Sequence, residues 1–161
     1  MGQTSLLVAI ASALLGQCLV AGVICRHGFT KLNNGCYYFD GVHLSTWTEA
    51  QSYCQNFGAK LVSVESQDEN AAILSHMKQY RGAFSKLDFW TSGNDIVRNG
   101  RYEWASTLQP VGPFTAWAKG QPSGGPQHCL HYHNFEWDDQ TCDVKNSFIC
   151  EQNDDSDVFG R

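Results

Sequence analysis

Two helical periods dominate the first half of the chain. Trp47, Ala50, Tyr53, Cys54 and Phe57 recur every three or four residues ahead of Gly58, which lays an apolar stripe along one helix face. Thr46-Trp47-Thr48-Glu49 carries the Thr-x-x-Glu spacing of a capping box, and Gly58 supplies a stop. Ser66-Gln67-Asp68-Glu69 repeats the capping spacing before Ala72, Ile73 and Met77, so a second helix is expected to end between Tyr80 and Gly82. Between them, Leu61-Val62-Ser63-Val64 reads as a short strand. Upstream, the turn former Asn33-Asn34-Gly35 precedes Cys36-Tyr37-Tyr38-Phe39, which predicts a hairpin.

Helical spacing is lost from Phe89 onward. Trp90, Trp104, Trp117 and Trp137 are separated by stretches rich in Gly, Asn, Pro and Ser, so the second half reads as strands and long loops. Two helices followed by strands, without strand-helix alternation, predict an α+β fold. The irregular stretch from Thr107 to Gln127 is long for a structureless connection and is the first place to look for a binding site.

Composition adds a compartment. Ser5 to Gly22 holds no charged side chain and ends in the small residues Ala21 and Gly22, which predicts a signal peptide over 1–22, with a retained membrane anchor as the second reading. The formal net charge is -5. Asp154, Asp155 and Asp157 belong to an acidic end, 152–161, read as a solvated, disordered tail. This balance disfavours nucleic acid as a partner. Of seven cysteines, Cys18 falls in the signal segment and six remain. An even set in a secreted chain implies three disulfides, with fifteen pairings open, no spare thiol for a covalent dimer, and none of the tight Cys pairs of a zinc site.

The order Cys25, Gly35-Cys36-Tyr37, Cys54, Trp90-Thr91-Ser92-Gly93, Tyr102-Glu103-Trp104, Phe114-Thr115-Ala116-Trp117, Gln121-Pro122-Ser123, Cys129, Trp137-Asp138-Asp139, Cys142 and Cys150 resembles a C-type lectin-like domain, and within that family the soluble arthropod lectins. The resemblance covers residues 25–151. It implies two helices flanking antiparallel sheets, a long calcium- and sugar-binding loop region, and the pairing Cys25–Cys36, Cys54–Cys150 and Cys129–Cys142.

The resemblance also implies a site. In the family the Pro-centred loop, an acid two residues before the third-from-last cysteine, and the Trp-x-Asp triplet hold Ca2+, which the sugar's vicinal hydroxyls then bind. Carried over by position, the metal and carbohydrate ligands are Gln121, Ser123, Gln127, Asp138 and Asp139. All five offer oxygen, as Ca2+ requires. Sugar-binding members have Glu-Pro-Asn or Gln-Pro-Asp in the loop, Glu at position 127 and Asn at 138. Relative to the Gln-Pro-Asp form this chain loses two carboxylates and gains one, which predicts a weakened site. Gln121 leans toward galactose, and Ser123 leaves the choice open because its hydroxyl both donates and accepts.

A second calcium site would use Asp95, but Asn99 and His128 stand where acids are expected. Alternation puts His131 and His133 on one strand face, open to two-ligand zinc binding or, as exposed histidines beside the sugar site, to weakened binding below about pH 6.5. Trp90, Trp104 and Trp117 read as core, and Tyr132, His133 and Phe135 as apolar sugar contacts. The function implied is a secreted calcium-dependent lectin, galactose-leaning, that recognises microbial or host glycans in innate immunity. The alternative is a calcium-independent lectin-like module for a protein or other non-sugar ligand. No nucleophile elbow, His-Glu-x-x-His or phosphate loop points to an enzyme.

Overall fold

Helices form where the caps predict them: α1 spans Trp47–Asn56 and α2 spans Gln67–Gln79. The structure, a computed structural model, describes residues 23–153. The expected signal segment and the tail from Asp154 lie outside the described residues. Both arms of the first capping box are made, Glu49 N donating to Thr46 Oγ1 (3.3 Å) and Thr46 N to Glu49 Oε2 (2.9 Å), so donors that a helix start leaves unpaired are satisfied. The second box is corrected to a single arm. Glu69 N donates to Ser66 Oγ (3.2 Å), but the Glu69 carboxylate instead accepts from Glu65 N (2.9 Å) and the Tyr37 hydroxyl (2.8 Å).

Strands β1 (Thr30–Leu32), β2 (Gly35–Ser45), β3 (Ala59–Leu61), β4 (Phe89–Asn94), β5 (Glu103–Trp104), β6 (Gln109–Pro110), β7 (Cys129–His133), β8 (Glu136–Gln140) and β9 (Asn146–Gln152) join one sheet. Its main path is β1-β2-β9-β4-β5-β6, with β3 also on β9, and β7 between β4 and β8. The expected antiparallel arrangement is corrected at one pairing: β4 lies parallel to β9, with Phe89 opposite Ser147 and Trp90 opposite Phe148. The intervening chain through β5 to β8 provides the long crossover that a parallel pair needs. The predicted 61–64 strand ends at Leu61. Val62, Ser63 and Val64 are all buried, and Val62 instead bridges β9 and β4 by donating to Ile149 O (3.0 Å) and accepting from Ser92 N (2.8 Å). At the other end β9 runs one residue past the expected boundary at 151. Gln152 pairs with Ala59 while its side chain accepts from Arg26 N (2.8 Å) and donates to Ile24 O (3.1 Å).

The period of two divides the core. Phe89 and Ile149 face the cluster that Ile73 and Met77 of α2 complete. Their neighbours Trp90, Phe148 and Cys150 face the opposite cluster, closed by Trp47, Ala50 and Cys54 of α1. A strand covered on both faces has no solvent side, which is why all six residues of β4 are buried. The three disulfides are those implied by the resemblance. Trp90 and Trp104 are core, as expected, at 0% and 1% exposure, and Trp117 is partly buried against the cluster that holds Trp104.

Glu151 breaks the apolar pattern of β9. Its carboxylate lies 3.8 Å from Lys60 Nζ and accepts from Ser63 N (3.4 Å). Burial pushes its carboxyl from near 4.5 up to about 7, with Lys60 opposing and Glu69 adding. Between those values the folded state keeps a proton that the unfolded chain releases. That contribution is therefore full below pH 4.5 and lost as pH rises through about 7. Glu151→Gln should stabilise the fold at about pH 8 relative to about pH 4.5 by on the order of 2 kcal/mol. Thermal melts in metal-free buffer check this, and the same difference from wild type at both pH values would contradict it.

Candidate functional site

The 107–127 stretch is held against β8. Trp137 N donates to Ala116 O (2.9 Å) and Ala118 N to Trp137 O (2.8 Å), so the backbone of one buried tryptophan sets where the loop leaves. The Gln121-Pro122 peptide is cis. Two residues on from Trp137, Asp139 is wholly buried. Its carboxylate accepts from Ser123 N (2.7 Å), Gly124 N (2.6 Å) and the Tyr102 hydroxyl (3.4 Å). Ser123 Oγ lies within reach of both Gln127 Oε1 and Asp139 Oδ1, its one proton going to either. Ser123, Gln127 and Asp139 are thus in one network.

Gln121 and Asp138 are outside it. Gln121 Oε1 and Asp138 Oδ1 are both buried and accept no hydrogen bond. A buried acceptor without a donor costs roughly 1–3 kcal/mol, and a cation or a donating ligand relieves that cost. Asp138 Oδ2 lies 4.0 Å from His131 Nε2. Burial holds the Asp138 carboxyl above its ordinary range, and the neighbouring Asp139 charge adds to this. All five donors are hard oxygens of the kind Ca2+ takes. Among the described residues no three His, Cys, Asp or Glu side chains are grouped to hold a metal, so an ion at these five residues would need amide and hydroxyl oxygens as well as the two acids.

Asp95 and His128 meet, and Asn99 stays exposed. Asp95 Oδ1 is 2.8 Å from His128 Nδ1, and Oδ2 accepts from Gly100 N (2.6 Å). The carboxylate braces its own loop. The expected exposed histidine pair is corrected. The rings of His131 and His133 are 5.9 Å apart, but His131 is buried beside Trp90, and desolvation brings its pKa down to about 4. It therefore adds no charge near pH 6.5, and only His133, 2.7 Å from Asp88 Oδ1, is exposed. Tyr132 is likewise no sugar contact: it is wholly buried and its hydroxyl donates to Asn70 Oδ1 (2.7 Å). His133 and Phe135 sit at the β7–β8 turn, where His133 pairs with Glu136, whereas Asp139 pairs with Leu130. That is roughly 10 Å from Asp139 along the ladder, but His131, which lies between them, pairs with Asp138, and the His133 ring is 5.9 Å from the His131 ring.

The profile of the Lectin C-type domain family matches residues 43–152. The chain belongs to the C-type lectin domain family. This C-type lectin domain is 32% identical over 136 residues to lithostathine-1 of Mus musculus, covering 81% of this chain and 79% of that protein. It is 27% identical over 151 residues to salivary C-type lectin 2 of Aedes albopictus, covering 86% and 96%. In structure it is similar to human lithostathine, with a TM-score of 0.72 and 31% identity over 83% of this chain and 94% of that one. The fold alone is shared with a calcium-independent type II antifreeze protein, with a TM-score of 0.68 and 23% identity over 80% and 94%.

The family is one of lectins, so this C-type lectin domain is a binding module and not an enzyme. No helix among the described residues is long and apolar enough to cross a membrane. In the sequence Tyr102 stands only as the first residue of the Tyr102-Glu103-Trp104 motif. In the structure its hydroxyl reaches Asp139 and Gln127 O (3.4 Å), its ring meets Trp117 edge-on (4.9 Å), and burial beside Asp139 holds its hydroxyl protonated well above the usual range. A Tyr two residues before a core Trp carries no spacing signal that separates packing from loop support.

Proposed function

We propose that this domain is a secreted lectin that binds sugar hydroxyls through a Ca2+ held at Gln121, Ser123, Gln127, Asp138 and Asp139, on microbial or host glycans in innate immune recognition. The observation that carries this reading is the pair of buried, unpartnered oxygens, Gln121 Oε1 and Asp138 Oδ1, at the loop that Asp139 organises. When bound, the ion offers open coordination positions to two vicinal hydroxyls. The chain's own part is to hold the loop closed with Asp139 and to present the Gln121 amide and Ser123 hydroxyl as hydrogen-bond partners. Gln121 leans this toward galactose, and two carboxylates make a weak site. Residues 1–22 act as the signal peptide, and the binding domain begins near Cys25.

One observation favours a second reading, a calcium-independent module. The Asp139 carboxylate is already engaged by two loop N–H groups and the Tyr102 hydroxyl, with Ser123 Oγ in reach, so the protein supplies donors that would compete with an ion. Galactoside binding measured with Ca2+, with chelator and for Gln121→Ala separates the two. Gln121 Oε1 makes no hydrogen bond, so its loss should leave the thermal midpoint in place while weakening calcium-dependent binding about tenfold. Asp139→Asn should lower both. Galactoside binding unchanged by chelator and by Gln121→Ala would overturn the calcium reading, and no galactoside binding with or without Ca2+ would favour the second.

A further inference from the structure

A separate cleft of about 500 Å³ opens beside the loop, lined by Val97, Arg98, Arg101, Tyr102, Glu103 and Pro110 among others. That size falls within the ~300–1,000 Å³ of small-molecule sites. Arg98 and Arg101 are both exposed, and among the described residues neither guanidinium has an ion-pair or hydrogen-bond partner. They stand on a segment that is braced from within. Asp95 Oδ2 accepts from Gly100 N (2.6 Å), Arg98 N donates to Asp95 O (3.1 Å), Arg101 N donates to Arg98 O (2.9 Å), and Asp95 N donates to His128 O (3.0 Å). Asp95 is 1% exposed and faces His128, so its charge is turned inward. Glu103 is the acid that lines the cleft, and among the described residues it forms no ion pair with either arginine. In a chain of net charge -5, two unpaired guanidinium groups on a pinned loop form a local positive spot.

Tyr102 belongs to both places, since it lines this cleft and its hydroxyl reaches Asp139 (3.4 Å). From this juxtaposition we infer that the cleft is a subsite for an anionic substituent of the glycan, a sulfate or a carboxylate, held by Arg98 and Arg101 while a neighbouring sugar occupies the Asp139 loop. A guanidinium fork can donate two hydrogen bonds to an oxygen pair of either group, the planar carboxylate or the tetrahedral sulfate. Val97 and Pro110 give the C–H faces of a sugar an apolar wall. This inference rests on the sugar-binding reading of the loop.

The test uses the full chain and three probes: methyl β-galactoside, the same galactoside O-sulfated, and methyl β-galacturonoside, titrated in Ca2+ at low and high salt. The expected result is a preference of roughly fivefold or more for a charged probe over the neutral one, weakening with salt. Arg98→Ala/Arg101→Ala should abolish that preference and leave neutral galactoside binding and the melting temperature unchanged. A preference for the sulfated probe alone or the galacturonoside alone identifies which anion the cleft takes and supports the subsite. Arg98→Glu/Arg101→Glu should turn the preference against both charged probes. Neutral binding with no preference for either anion, or a preference that survives the double alanine variant, overturns the subsite and leaves the loop reading standing. Binding of none of the three probes overturns both.

Discussion

Replacing both Cys54 and Cys150 by alanine is expected to leave the domain largely unfolded at about 37 °C. The bridge joins residues 96 apart, and in the chain-entropy account a ~100-residue loop contributes about 4–5 kcal/mol, against roughly 2–3 for the 11-residue separation of Cys25–Cys36. Domains of this size are stable by only about 5–15 kcal/mol. The position adds to the loss, because Cys54 of α1 and Cys150 of β9 are 0% and 1% exposed and β9 is the strand on which β2, β3 and β4 converge. Urea unfolding of the two double variants, Cys54→Ala/Cys150→Ala and Cys25→Ala/Cys36→Ala, checks the ranking. Equal losses would mean that loop length does not govern these bridges.

Trp137→Ala should cost about 3–5 kcal/mol, the range for truncating a buried large aromatic. Its side chain is wholly buried and meets Trp104, Phe114 and Trp117 edge-on at 5.7, 5.5 and 5.9 Å between ring centres. Phe114 and Trp117 belong to the 107–127 stretch itself. The damage should therefore reach the loop, seen as faster exchange of the backbone amides at positions 118 and 137, whose bonds tie it to β8. Trp137→Phe should lose less than half as much stability. Equal losses for Phe and Ala would mean that ring packing is not the source.

Local signals carried the helices. A hydroxyl cap, an acid three residues on and an apolar stripe are all within one turn or two of each other, so Thr46 and Ser66 mark their helices without help from the rest of the fold. Where the reading failed, a distant residue had intervened. Glu69 leaves the α2 capping box because one carboxylate oxygen accepts from the Tyr37 hydroxyl, 32 positions away, and the other from Glu65 N. Phe135 is a poor turn former, yet it takes φ 69° after Asn134 at φ 50° to close a two-residue hairpin between β7 and β8. The ladder imposes that conformation, and no Gly announces it. The histidines are similar: alternation correctly puts His131 and His133 on one side, but β9 and Trp90 cover the first and leave the second in water.

Of the loop residues, Gln121, Ser123, Gln127, Asp138 and Asp139 are legible as an oxygen set from their types and order alone. Their different states are not. That Asp139 is saturated while Gln121 and Asp138 keep unpartnered oxygens depends on which backbone N–H groups the folded loop turns inward.

What the amino-acid order determined by itself is the α+β class, the two capped helices, an even set of six cysteines and a polar loop ahead of Trp-Asp-Asp. Each of these is written in neighbours along the chain or in composition. What tertiary structure decided is the parallel β4–β9 pairing, the burial of His131 and Tyr132, the recruitment of Tyr102, and the cleft between Arg98 and Arg101. Burial and hydrogen-bond satisfaction are set by residues far apart in sequence, and only the folded sheet brings them within reach of one another.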